Sequence, residues 1–296
     1  MIGGRIRVST LVGVLAILVL GLVIGLRPAD PASADPSTTA GRAARLAGMA
    51  RIADDDLRRL TELLVATVDD ARSGAALTVA GDDPPAPPLI AAADRLDGGL
   101  QVADGAQSAL VALRGTAAAV DPGLVLPPSG VNGAALSSIA GQLREAADAA
   151  TSFVARRHAT DAVLAALADA LAALDHDQAQ AALHFLADAA APMELVRAWP
   201  SAPVTLALWL ATTDGLLLAV RAMADATLAD DPVAAAKASD DYAKAAEAAR
   251  GADVSLALAL SEGGAAVTAI PLRRLADGLS DLTALREAIA TLSEGD

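Results

Sequence analysis

Between Leu46 and Ala71 the positions Leu46, Ala50, Ala53, Leu57, Leu60, Leu64, Thr67 and Ala71 advance in alternating steps of four and three. A seam of that period keeps one face of an α-helix against a partner, whereas a strand would alternate every second residue. It predicts one long helix from about residue 39 to residue 80. The run GDDPPAPP, residues 81–88, must end it, because Gly81 can take a left-handed cap and four prolines cannot continue the hydrogen-bond ladder. A second seam follows through Leu89, Ala93, Leu96, Leu100, Ala103, Ala106, Leu110, Leu113, Ala117 and Val120, weakened midway by Gly98-Gly99. Residues 39–120 are therefore expected to form a long antiparallel helical hairpin.

Alanine makes up about a quarter of the 296 residues, and aromatics only 2%. Alanine loses no side-chain entropy in a helix, while β-branched and aromatic residues are the ones that favour a pleated sheet. The predicted fold class is all-α. The next break is DPGLVLPPSGVNG, residues 121–133, read as a Pro/Gly-rich linker and domain boundary. Beyond it, residues 134–296 are expected to form a multi-helix bundle. Its third helix, along Leu136, Ile139, Leu143, Ala147, Ala150 and Val154, is predicted to end near Arg156-Arg157-His158, basic residues suited to a helix C-terminus. Thr160-Asp161 reads as the cap of a fourth helix, Asp177 of a fifth that closes at Trp199-Pro200, and Asp231-Pro232 of a seventh. The sixth begins near residues 201–203, Gly251 and Asp253 punctuate again, and Pro271 starts or kinks the last helix.

The opening of the chain bears on location. Residues 1–7 carry Arg5 and Arg7, and residues 8–26 are uncharged and apolar. Nineteen residues at 1.5 Å rise span about 28 Å, close to the thickness of a hydrocarbon core. The charge bias places the N-terminus in the cytoplasm and the body outside, with 27–38 as a flexible linker rich in Pro, Ala, Ser and Asp. The reading is a single-pass signal-anchor in the cell membrane. Its alternative is secretion after cleavage between Ala34 and Asp35, since Ala32-Ser33-Ala34 has the small-x-small form of a signal-peptidase site. Val204–Val220 is also apolar, but Asp214 near its centre favours a buried helix of the body over a second span.

Few chemistries remain open to this composition. The absence of cysteine excludes disulfides, thiolate metal sites and a thiol nucleophile. The net charge of −14 repels phosphate backbones, and no basic stripe interleaved with aromatics is present, so no nucleic-acid partner is expected. No metalloprotease, nucleophile-elbow, phosphate-loop or dinucleotide signature occurs. The expectation is a non-enzyme without a cofactor. His184 and Asp188 lie four apart, and His176 precedes them across a turn, which makes these three the only metal-ligand pattern worth weighing; a solvated polar face explains them more simply. Asp54-Asp55-Asp56 is read as a solvated face with local partners in Arg58 and Arg59. The aromatics Phe153, Phe185, Trp199 and Trp209 are the candidate lining of a ligand pocket, although aromatics at such spacing are more often core anchors.

These readings converge on a membrane-anchored, extracytoplasmic helical protein with a structural or interaction role at the cell envelope. It would contact the membrane through residues 8–26 and an envelope protein or a second copy through its body. The alternative is a binding protein for a small apolar or lipid-like molecule held in the C-terminal bundle.

Overall fold

The computed structural model describes residues 39–199 and 204–293; the apolar segment 8–26, the linker 27–38 and the cleavage site at Ala34 lie outside these. The described residues are all-helical, with α1 at Thr39–Ala80, α2 at Ala86–Gly98, α3 at Leu100–Val120, α4 at Gly133–Asp175, α5 at Ala179–Asp188, α6 at Ala190–Arg197, α7 at Val204–Leu228 and α8 at Pro232–Ser293.

The seams read from the sequence are the buried faces. Leu57, Leu60, Leu64 and Ala71 of α1, Leu89, Leu96, Leu110 and Leu113 of α2 and α3, and Leu136, Leu143 and Val154 of α4 are all closed to solvent. All but Val154, which belongs to the next cluster along α4, share one core with Leu275, Leu282, Leu285 and Ile289 of α8. That core crosses residues 121–133, so the Pro/Gly-rich stretch is a loop, as its composition requires, with one continuous core on both sides of it.

Cross-helix ion pairs mark which helices are neighbours. Asp70 of α1 meets Arg95 of α2 at 2.6 Å, Asp94 and Asp97 of α2 meet Arg144 of α4 at 2.8 and 2.7 Å, and Asp54 of α1 meets Arg286 of α8 at 2.8 Å. With Met49 near Thr116, Asp104 near Gly133 and Thr78 near Gly264, the residue numbers of each neighbouring pair run in opposite senses. The first bundle is therefore up-down-up-down: α1, then α2 with α3, then the first half of α4, then the second half of α8. Exposed pairs of this kind add little stability, yet they set which helix lies beside which.

The same arrangement is built a second time. The second half of α4, then α5 with α6, then α7, then the first half of α8 enclose two buried clusters, one centred on Phe153, Val163, Met193 and Trp209, the other on Leu167, Ala170, Leu216 and Val220. Both bundles thus share α4 and α8, which run through from one to the other.

Three expected boundaries are absent and a fourth is built differently, each for a visible reason. Thr160 lies inside α4, buried, with its hydroxyl donating to the Arg157 carbonyl at 2.6 Å, because nothing between Gly141 and Asp175 breaks the helix. Gly251 and Asp253 lie inside α8, and Asp253 accepts from the Trp209 indole instead of capping. Pro271 forfeits one backbone bond, but α8 continues because it is packed along α1 and α7 on either side. Asp177 does not cap α5; it sits in the left-handed region at φ 57°, closing α4. The expected fifth helix is also two, α5 and α6, since Pro192 in the first turn of α6 removes an N–H that a continuous helix needs.

The two turns farthest from residues 39 and 293 are copies of one motif. Asp177 and Asp230 are both left-handed, at φ 57° and 53°. Gln178 N–H donates to the Ala173 carbonyl and Asp231 N–H to the Ala226 carbonyl, the six-to-one bond that closes a helix end. Asp231 then caps α8, its Oδ1 accepting from Val233 and Ala234 at 3.0 Å, as expected.

The bundles meet at Gly263-Gly264 of α8. A Cβ on Gly264 would stand 3.2 Å from the Thr78 carbonyl oxygen and the Val79 Cα of α1 and 3.2 Å from the Phe153 ring. Gly264→Val is expected to destabilise the protein by about 2–3 kcal/mol, since backbone on the facing side cannot yield. Gly251→Ala, exposed with open space around it, should stabilise by about 0.5–1 kcal/mol. Urea titration followed by circular dichroism checks both.

Candidate functional site

Two places combine chemistry with shape: the joint between the bundles and a cleft in the first bundle. At the joint, α1 ends at Ala80 and Gly81 turns the chain at φ 78°. The last carbonyls of a helix carry partial negative charge and lack intrahelical donors. Arg157 Nη1 donates to the Val79 carbonyl at 2.6 Å, and His158 Nε2 donates to that of Gly81 at 2.8 Å, with its Nδ1 3.2 Å from Asp83 Oδ2. The basic run expected to finish its own helix therefore finishes a different one. Which helix end the basic run neutralises is set by tertiary packing.

Beside this contact Phe153 lies against Gly263 and Gly264 and meets the Trp199 ring edge-to-face at 5.5 Å, while the Arg156 guanidinium sits 5.8 Å from the centre of Trp199. Trp209 is closed to solvent and its Nε1 donates to Asp253 Oδ1 at 2.9 Å. Phe153, Trp199 and Trp209 thus belong to one cluster, in which they pack against one another and against glycine. Phe185 belongs to the other cluster, towards Tyr242. His176, His184 and Asp188 are exposed, and among the described residues no three His, Asp or Glu side chains come together closely enough to hold a metal ion. Asp54 of the acidic triplet pairs with Arg286 across the bundle, whereas Asp55 and Asp56 pair with Arg58 and Arg59 on the same helix. Two arginines are raised above the ordinary guanidinium value: Arg144 by its hydrogen bonds to Asp94 and then Asp97, and Arg197 first by its bond to Glu194.

The cleft has an architectural cause. After α3 the chain turns back and runs along it without forming a helix: Pro127 accepts from Arg114 Nη2 at 2.6 Å, and Gly133 reaches Asp104. Leu124, Leu126 and Val131 fill the seat of a fourth helix, the last two buried. α4 begins only where Asn132 caps it, its Oδ1 accepting from Ala135 N–H at 2.9 Å. Irregular chain is thinner than a helix, and where one hands over to the other a cleft of about 300 Å³ opens. Its floor is Leu64, Val131, Leu136, Ile139 and Leu275, all buried. Its rim is Ser138 of α4 with Arg274, Asp277 and Asp281 of α8. None of these nine residues was singled out for a site from the sequence. The signal available was the i, i+3, i+7 spacing of Arg274, Asp277 and Asp281.

α7 and α8 are long and apolar enough to cross a membrane by length and composition, with 33% and 28% of their most apolar windows buried. Leu206, Trp209, Leu216 and Val220 of α7 are core residues, while Leu208 and Leu218 face outward.

Fold and cleft together define an all-helical protein of two end-to-end four-helix bundles with a ligand-sized recess. No protein-family model matches the chain, and no curated protein or solved structure matches it significantly.

Arg157→Ala should cost about 1–2 kcal/mol, as expected for a half-buried charged donor to a carbonyl. The loss should be local. Hydrogen exchange should quicken in the last turn of α1 and in residues 81–83 while the amides near Leu57 keep their protection; uniform acceleration would mean that this contact does not pin the joint.

Proposed function

We propose that this chain is a membrane-anchored, extracytoplasmic helical protein with a structural or protein-interaction role at the cell envelope. It acts as a rod that holds its second bundle away from the bilayer and offers it to an envelope protein or to a second copy. The observation that carries this reading is α8. Its 62 residues run through both bundles, about 93 Å at 1.5 Å rise per residue.

The start of α1 and the end of α8 lie at the same end of the rod, joined by Asp54 and Arg286. An anchor at residues 8–26 followed by a short linker therefore enters at that end, and the Asp177 and Asp230 turns point away from it. The second bundle also exposes Leu218, Leu228 and Val233, apolar side chains of the sort that interaction surfaces use. The same reading takes the protein as non-enzymatic and without a nucleic-acid partner, because its net charge of −14 repels phosphate.

Protease added outside intact cells should degrade residues beyond 40, and the protein should fractionate with membranes. A body protected until lysis would overturn the placement, and a soluble extracellular form beginning at Asp35 would overturn the anchor. A photo-crosslinker at Val233 should give a discrete adduct with an envelope protein or with a second copy, and one at Gly48, at the other end, should not.

A further inference from the structure

We propose that the cleft between the 121–132 loop and α8 binds a small zwitterionic amino acid with an apolar side chain. The proposal concerns the first bundle and holds wherever in the cell the chain resides.

Size comes first. An apolar cavity of about 150 Å³ accepts benzene, so a cleft of about 300 Å³ has room for a branched aliphatic or phenyl side chain together with its head group, and too little for a lipid chain. The floor supplies the apolar half of the recognition: Leu64, Leu136 and Leu275 are fully buried, with Val131 and Ile139 nearly so, and no polar group stands among them.

The rim supplies the other half, and it carries both signs of charge. Arg274, Asp277 and Asp281 fall within one stripe of α8. Elsewhere in this protein several acid–base pairs three apart, acid first, close on themselves, as in Asp55–Arg58, Glu194–Arg197 and Glu247–Arg250. Arg274 and Asp277 have the reverse order, base before acid, which is the weaker orientation on a helix, and they do not pair. Arg274 Nη1 turns to Ser138 Oγ at 3.3 Å, while Asp277 and Asp281 have no hydrogen-bond or ion-pair partner among the described residues.

A guanidinium beside a hydroxyl suits a carboxylate, and two adjacent carboxylates suit an ammonium. A hydrocarbon would leave all four groups unused. A plain anion would face two carboxylates, and a plain cation would face Arg274. An α-amino acid presents both charges on neighbouring atoms and a side chain pointing away from them, which matches a two-signed rim above an apolar floor.

The test is isothermal titration of the purified full-length protein in detergent with L-leucine and L-phenylalanine, alongside isopentylamine, 4-methylpentanoate and glycine. At least one of the two amino acids should bind saturably and raise the melting temperature. The amine and the acid should each bind at least about tenfold more weakly, and glycine not measurably, since each lacks one of the three features. Arg274→Gln and the double change Asp277→Asn with Asp281→Asn should each weaken binding about tenfold or more. These side chains are exposed, so the unliganded melting temperature should stay the same and separate lost recognition from lost folding. No saturable binding of either amino acid up to roughly 10 mM would overturn the proposal. Equal binding of the amine or the acid would overturn it in favour of a singly charged ligand, and unchanged affinity in both rim variants would place any binding elsewhere.

Discussion

Small side chains bury little area per turn, and everything in this architecture follows from that shortage. At about 25 cal/mol per Å², an alanine-rich helix offsets its ordering entropy only by lying close to its neighbours over a long distance. The response is length and proximity. α1, α4 and α8 have 42, 43 and 62 residues, and their contact faces are built mainly from leucine and alanine. Where even alanine is too large, as at Gly264 against the backbone of α1, the side chain is dispensed with altogether.

Sequence patterns identified which faces are buried far better than they identified where helices stop. The seams of α1, α2 with α3, and the first half of α4 are legible because burial follows a local period. Helix ends are subtler in such a chain. Thr160-Asp161, Gly251 and Pro271 are genuine local stop signals, but each costs at most a few kcal/mol, and a helix held in two bundles by dozens of contacts overrides them. Pro192 went unread because it lies near the start of a helix, where proline is ordinarily tolerated. Of the candidate sites, the aromatic cluster was visible as composition, although its members fill space against Gly263-Gly264. The cleft was not visible, since it arises from loop and helix meeting at one level of the bundle, a relation between residues 131, 139, 64 and 275 that no single stretch of sequence contains.

The two bundles repeat one plan with different materials. In each, the descending arm is a broken helix, interrupted at Gly98-Gly99 in the first and just before Ala190 in the second. The tip turns after α4 and α7 use the same left-handed aspartate. They differ in filling: the first bundle relies on leucine and on the 121–132 loop standing in for a missing stretch of helix, while the second relies on Phe153, Trp199 and Trp209. The leucine half is the one in which the cleft opens.

Continuity of α8 has a mechanical side. A close-packed interior yields little under load, and one helix runs from Pro232 to Ser293, its single forfeited backbone bond at Pro271 lying where α1 and α7 pack on either side. Tension or torque applied at the Asp230 turn would be conveyed along the shaft, past the slender bearing at Gly264, and would emerge beside Asp54 at the opposite extremity. The spine common to both halves would couple them mechanically.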